Sequence, residues 1–291
     1  MNKENIYISV RDHSVSGEGF DLIYNKDLDV LETTPQPAED KLGGYYKSED
    51  YISHTDGKRN IFEKTYHFVK EIALKRKLNL INTVSDVSAA DSSSGEKKLL
   101  DVGCGTGDFL KIAKVNQWTV CGIEPNIQAR AIANKKSEGA VFDITHLQTL
   151  TPESFDVITL WHVLEHLPNL EGHMNTLEAL LKPNGRLIIA VPNYKSYDAN
   201  YYKSFWAAFD VPRHLWHFSQ TAVDILVRRH GMIVQQTAPM LFDAYYVSLL
   251  SEKYKYGTMN PFKAFWIGSK SNWKAKTSGE YSSLIYVIKK E

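Results

Sequence analysis

The stretch LLDVGCGTGDFL constrains this chain more than any other. A short apolar run, Leu99 to Val102, ends in glycines at alternate positions, Gly103, Gly105 and Gly107, and a helix-patterned segment opens at Asp108. Glycines so placed between a strand and a helix make a side-chain-free turn, against which a ligand can lie while the first N–H groups of the helix face it. A bound polar ligand is the expectation. The dinucleotide fingerprint asks for a further glycine where this sequence has Asp108, so nicotinamide binding is disfavoured.

Three further runs, TVCGIE, FDVITL and RLIIAVP, are short and apolar or β-branched, without alternation, which suits parallel strands buried on both faces. The fold class expected is α/β with βαβ units, closed late by a hairpin of MIVQQTA and SLIYVIKK around a long insertion. Upstream, Asn60 to Ile81 reads as an amphipathic helix, and GFDLIYNKDLDVLETTPQP as a hairpin followed by an extended segment. Between these parts NTVSDVSAADSSSGEKK is polar and shows no period. The expected organisation is a small α+β cap with its helix over 1–81, a linker over 82–97 and an α/β domain over 98–291. A chain of 291 residues is long enough for one such domain plus an appendage.

Composition narrows the partners. Lys and Arg total 34 against 34 Asp and Glu, so no net field recruits nucleic acid or an anionic surface, and neither is expected as a partner. Two cysteines, Cys104 and Cys121, are too few for a disulfide framework, which points to a reducing compartment and a cytoplasmic location. No stretch approaches the roughly 20 apolar residues of a membrane span, and the amino terminus does not read as a signal peptide.

After the second strand, GIEPN sets Glu124 where one carboxylate can accept both hydroxyl protons of a ribose. Here the chain resembles the class I S-adenosylmethionine-dependent methyltransferases. DVGCGTGDFL is similar to their first motif, GIEPN to their second, and FDVITLWHVLEHLPN and LKPNGRLIIAVPN to their later ones, over roughly residues 97–291. The resemblance implies a Rossmann-like, seven-stranded, mostly parallel sheet with a reversed last strand, and S-adenosyl-L-methionine as cofactor over the ends of the first two strands. It implies that Asp101, Gly103, Cys104, Gly105, Thr106 and Gly107 surround the methionine part and that Glu124 holds the ribose. Asp143 would meet the adenine amino group, although a loop aspartate is also a common cap. Trp161 and His162 would sit beside the sulfonium.

A methyl donor with a positive leaving group needs in-line alignment and a nucleophile with a free lone pair, so a hydroxyl acceptor needs a base or a metal. His162, Glu165 and His166 follow the strand FDVITL as HVLEH, at a spacing that would share one face of a helical turn. DVPRHLWHFS adds Asp210, Arg213, His214 and His217, and imidazoles from both loops can meet over the crevice. The stretch is similar to the ubiquinone-pathway O-methyltransferases and small-RNA 2′-O-methyltransferases, whose Glu-x-x-Glu-His clusters bind a divalent cation. Here His162 replaces the first Glu, so no metal is expected, and His162, Glu165, His166 and His214 are taken as the catalytic candidates. The expected reaction is methyl transfer to oxygen of a small-molecule, lipid-linked or sugar-linked acceptor. Sugar C-methylation and a cofactor-binding, non-catalytic subunit are the alternatives.

The aromatic run NYKSYDANYYKSFWAAFDVPRHLWHF reads either as a substrate cover or as a scaffold packed on the sheet. The segment around YYKSEDYISH is similar to leaders in which cysteine knuckles precede a Tyr-rich stretch, but the cysteines are missing and a zinc ribbon is excluded. Tyr45, Tyr46, Tyr51 and His54 either close over the cofactor or glue the cap to the domain.

Overall fold

The computed structural model describes residues 5–46, 61–89 and 96–291. A small antiparallel sheet is built from β1 (Ile6–Arg11), β2 (Gly19–Asn25) and β3 (Val30–Thr34), and a short helical turn, α1 (Glu39–Leu42), follows. The long helix α2 (Ile61–Ala89) leads to the main sheet. That sheet is wound as β4 (Lys98–Val102), α3 (Asp108–Val115), β5 (Thr119–Ile123), α4 (Ile127–Ser137) and β6 (Val141–Phe142) on one side. On the other side run β7 (Phe155–Trp161), α5 (Leu170–Leu180), β8 (Leu181–Pro192), α6 (Tyr197–Tyr202), β9 (Trp216–His217) and α7 (Gln220–Arg229). The chain closes with β10 (Met232–Pro239), α8 (Asp243–Tyr256), α9 (Pro261–Ser278) and β11 (Ser283–Lys290).

The seven strands lie in the order β10-β11-β8-β7-β4-β5-β6. Strand β11 is antiparallel to both neighbours and the pairs from β6 to β8 are parallel, so the last strand alone is reversed. Alternate residues of one strand feed opposite layers. Leu100, Val102, Ile158, Leu160, Leu187 and Ile189 pack under α5 and α7, whereas Leu99, Val157, Ile188 and Val287 pack under α2 and α3. Winding reverses between β4 and β7, which opens a crevice beyond their carboxyl ends and beyond that of β5.

One expectation changes and one pair of alternatives is decided. The segment read as a linker is helical from Asn82 to Ala89, and Asn82 and Ser85 within it have fixed partners. Trp118 Nε1 donates to Asn82 Oδ1 at 2.8 Å, Lys97 Nζ donates to Ser85 Oγ at 3.1 Å, and Ile81 and Val84 are buried against the sheet. Helix α2 is thus a layer of the α/β domain rather than part of a separate cap. The aromatic run is scaffold: Tyr194, Tyr202, Trp206 and Phe209 are buried against Val10, Phe20, Leu22 and Leu31 of the small sheet. Asp198 at its centre accepts from Trp206 Nε1, Ser271 and Ser282 at 2.6 to 2.7 Å, which fixes the run to α9 and the approach to β11.

The small sheet is completed by the main domain. Strand β9 pairs antiparallel with β3, and Thr33 N–H donates to Leu215 O at 3.0 Å. Arg213 reaches Asp12, Asp210 and the carbonyl of Tyr45, so one buried guanidinium ties the small sheet to the loop before β9. That loop carries half of the site.

Candidate functional site

The glycine turn is needed at all three positions. Gly103, Gly105 and Gly107 have φ of +71°, +55° and +76°, in the left-handed region that other residues adopt only at a cost. A Cβ on Gly103 would collide with Val163, and one on Gly107 would lie 2.9 Å from Ala133. A Cβ on Gly105 would meet nothing within 4 Å, so this peptide borders open space while its N–H donates to Glu124 Oε2 at 2.9 Å. Glu124 Oε1 accepts from Asn126 N–H at 2.8 Å. Burial pushes the Glu124 carboxyl up, and these two N–H groups counter it. Each oxygen keeps a second lone pair for a ligand hydroxyl.

The other cofactor candidates divide. Cys104 packs into the α2 side of the core, its N–H donates to Ile123 O, and burial pushes its thiol up. It shapes the turn and offers no reactive sulfur. Thr106 Oγ1 donates to Asp108, whose carboxylate pairs with Lys70 of α2 and Lys136 of α4, both at 2.6 Å. The residue standing where a dinucleotide fold has glycine is therefore a tie between helices. Asp143 Oδ1 caps the following turn by accepting from Thr145 N–H and Oγ1, while Oδ2 lies 3.8 Å from Arg130.

Asp101 is 2% exposed and accepts from Thr159 Oγ1 at 2.6 Å. Burial pushes it up to about 7, despite the Thr159 bond and Lys77 nearby. Lys77, from α2, lies 4.3 Å over the Trp161 ring, and burial holds its ammonium down at about 8, against the pull of Asp101 and Asp243. An indole face and carboxylates thus surround one cation. The Trp161 Nε1 is buried with no hydrogen-bond partner. Neither Lys77 nor Asp243 carries a local sequence signal: one sits on an ordinary amphipathic helix and the other at the start of a late insertion.

His162 is not on a helical turn with its neighbours. It follows β7 at φ +56°, and only Leu164–His166 forms a short 3₁₀ turn. Its Nδ1 lies 3.3 Å from Glu165 Oε1 and its Nε2 3.0 Å from Asp243 Oδ2. Burial opposes charging, yet the two carboxylates raise it to about 10, which favours the charged ring. With a carboxylate on each ring nitrogen, His162 is placed to anchor Glu165.

Glu165 is 1% exposed, and its Oε2 is buried without a partner. Although burial raises its carboxyl, the His162 hydrogen bond and the surrounding imidazoles bring it below the ordinary carboxylate value. One donor atom each from Glu165, His166 and His214 lies within 4.8 Å of the others. His166 Nδ1 is 3.0 Å from Arg213 O and 3.1 Å from the Tyr46 hydroxyl, and His214 Nδ1 is 2.9 Å from Ala208 O. Bonds to carbonyls require Nδ1–H, so in the neutral form of each ring the lone pair is on Nε2. Burial and the neighbouring His166 hold His214 down at about 4, so it is neutral near pH 7. His217 is not part of the cluster; its Nε2 is 3.0 Å from Thr33 Oγ1, under the β3 to β9 pairing.

From the cap, Tyr46 reaches the site through His166, whereas Tyr45 donates to Glu18 and packs edge-on to Phe20. Tyr51 and His54 lie outside the described residues.

A seven-stranded sheet whose last strand in sequence is reversed, a glycine turn after β4 and a buried glutamate after β5 defines the fold of the class I S-adenosylmethionine-dependent methyltransferases. Residues 66–237 match the methyltransferase domain model, and the chain belongs to that family. The human mitochondrial ubiquinone biosynthesis O-methyltransferase is 27% identical over 227 residues, covering 72% of this chain and 55% of that protein. The ubiquinone biosynthesis O-methyltransferase of Histophilus somni is 37% identical over 109 residues, covering 34% of this chain and 46% of that protein. The chain thus spans about half the length of these curated relatives. Among solved structures, geranyl diphosphate C-methyltransferase from Streptomyces coelicolor aligns with a TM-score of 0.57 at 13% identity, over 87% of this chain and 97% of that one. Magnesium protoporphyrin IX methyltransferase from Synechocystis aligns with a TM-score of 0.53 at 15% identity, over 87% of this chain and all of the other. At such identities these two establish the shared fold.

Proposed function

We propose that this protein transfers a methyl group from S-adenosyl-L-methionine to a hydroxyl of a small-molecule or lipid-linked acceptor. The single observation that carries the reading is the convergence of one donor atom each from Glu165, His166 and His214 within 4.8 Å of one another, where the loop after β7 meets the loop before β9. The crevice fits the cofactor on three counts: the open face of Gly105, the spare lone pairs of Glu124, and a cation site between Trp161, Asp101 and Asp243. When bound there, the donor supplies an electrophilic methyl group beside the acceptor. Asp101 and the Trp161 face would hold its positive end, and Glu124 would hold the ribose.

The chain's own residues then supply what the acceptor needs. The Nε2 of His214 accepts the hydroxyl proton as the oxygen attacks, with the ring oriented by Ala208 O. His166, oriented by Arg213 O, and Glu165, steadied by His162, stabilise the charge that results. The same three donors also fit a divalent cation, since two imidazoles and a carboxylate, each oriented by another group, are a set that zinc, iron or manganese accepts. A cation held by Glu165, His166 and His214 would lower the hydroxyl pKa. Similarity to ubiquinone biosynthesis O-methyltransferases supports oxygen as the acceptor atom and a lipid-linked phenol as the acceptor class.

The test is methyl transfer from labelled donor to a panel of phenols and polyprenyl-linked alcohols, with the product examined by NMR. A methyl ether is expected, and His214→Ala should lower turnover by on the order of 10²–10⁴-fold with S-adenosylhomocysteine affinity retained. A C-methyl product, or full activity in His214→Ala, would overturn the reading.

A further inference from the structure

Helix α9 carries its apolar side chains on the wrong face for a protein in water. Its buried residues are Ile267, which enters the core, and the small Ala264, Gly268, Ser271 and Ala275, which let it lie close to α8. At Gly268 the approach is so tight that a Cβ would lie 3.0 Å from the main chain of Ala244 and Tyr245. The opposite face presents Phe262 at 88% exposure, Phe265 at 65%, Trp266 at 67% and Trp273 at 68%. At 100° per residue these four fall within an arc of about 100°, a single stripe along the helix. Met259, just before the helix, and Leu241, just before α8, are exposed as well.

Charge identifies what covers the stripe. The sequence PFKAFWIGSKSNWKAKTS contains Lys263, Lys270, Lys274 and Lys276 and no acidic residue. Lys263 leans on Tyr256 and Glu252, and Lys270 and Lys274 lie over the Tyr197 ring, which sets three of the ammonium groups along the flank of the aromatic stripe. Aromatic rings bordered by lysines suit the headgroup boundary of an anionic bilayer, where rings enter the acyl edge and ammonium groups meet phosphate. A two-fold pairing of this face would instead set lysine against lysine. Among the described residues no helix is long and apolar enough to cross a membrane, so the contact is one of lying on the surface.

We propose that the Phe262 to Trp273 face of α9 is a peripheral docking surface for an anionic lipid bilayer. Its placement links it to the site: α8, packed antiparallel against α9, begins at Asp243, whose Oδ2 is 3.0 Å from His162 Nε2. Docking through α9 holds the crevice near a lipid-borne acceptor, a consequence that rests on the proposed function, whereas the docking itself does not.

The experiment is co-sedimentation of the full chain with vesicles of phosphatidylcholine, with and without phosphatidylglycerol, at low and high salt. The protein should bind the phosphatidylglycerol vesicles, lose binding as salt rises, and show blue-shifted tryptophan emission when bound. Phe262→Ser with Phe265→Ser and Trp266→Ser should weaken partitioning at least about tenfold. Lys270→Glu with Lys274→Glu should weaken it on anionic vesicles by a similar factor. All these positions lie outside the crevice, so S-adenosylhomocysteine affinity should be unchanged and reports that the variants are folded. Failure of the wild type to bind phosphatidylglycerol vesicles, binding indifferent to both variants, or a self-association in sedimentation velocity abolished by the aromatic variant would each overturn the proposal. Vesicle binding needs neither donor nor acceptor, so it stands or falls separately from methyl transfer.

Discussion

Truncating Glu124 separates a ligand-gripping carboxylate from a merely structural one. In Glu124→Ala two main-chain donors, the N–H groups of Gly105 and Asn126, lose acceptors at 2.9 and 2.8 Å. Both N–H groups are only partly buried, so water replaces much of what the carboxylate gave, the cost is on the order of 1 kcal/mol each, and the melting temperature should fall by roughly 2–5 °C. If the carboxylate also accepts two ribose hydroxyls, two charge-assisted bonds of about 1.5–3 kcal/mol each disappear from binding, and the Kd for S-adenosylhomocysteine should rise at least about 100-fold. Glu124→Gln keeps one acceptor oxygen and turns an amide donor toward an N–H, so it should fall between the two. Isothermal titration calorimetry reads the affinity and differential scanning fluorimetry the stability. A melting temperature that drops while Kd changes less than about threefold would refute the ribose assignment and leave Glu124 as a brace for the glycine turn.

Four further outcomes follow from the same geometry. Asp101, pushed to about 7 by burial, should lose its charge as pH falls through that value, so donor affinity should weaken below pH 7 in the wild type and not in Asp101→Asn, measured by titration across pH. Lys77→Met should shift tryptophan emission through Trp161, since the ring loses the ammonium 4.3 Å above it, and should leave acceptor specificity unchanged in a product assay. His214 has a folded pKa of about 4 against 6.5 when free, so its contribution is complete above pH 6.5 and is lost as pH falls toward 4. Urea unfolding at pH 7 and pH 5 should therefore show acid destabilisation that His214→Asn reduces. Chelation followed by zinc or manganese addition should leave turnover unchanged if His214 acts as base alone, and restore lost turnover if Glu165, His166 and His214 hold a cation.

Much of the fold can be read from the chain because parallel strands buried on both faces must be apolar throughout. LLDVG, TVCGIE, FDVITL and RLIIAVP each became a strand, and the late pair MIVQQTA and SLIYVIKK forms the antiparallel edge. Local signals failed where distant partners decide. Asn82 and Ser85 read as linker residues, yet Trp118 and Lys97 supply the hydrogen bonds that keep them in α2. The aromatic run suggested a cover as readily as a scaffold, and only the small sheet beneath it settles that it is core. In the site, the glycines and Glu124 are marked by spacing, because one turn must serve both geometry and ligand. Lys77 and Asp243 enter from helices far apart in sequence, and His162 meets a carboxylate more than eighty residues away. No periodicity could announce those contacts.

The account depends on the crevice beyond β4, β5 and β7 receiving the methyl donor. A crystal structure of the protein soaked with S-adenosylhomocysteine should show the ribose hydroxyls on Glu124, the nucleoside running toward Asp143, and the Lys77 ammonium moved off the Trp161 ring. Density for the nucleoside elsewhere, or Lys77 still seated over Trp161 with the Gly105 face bare at saturating ligand, would contradict it.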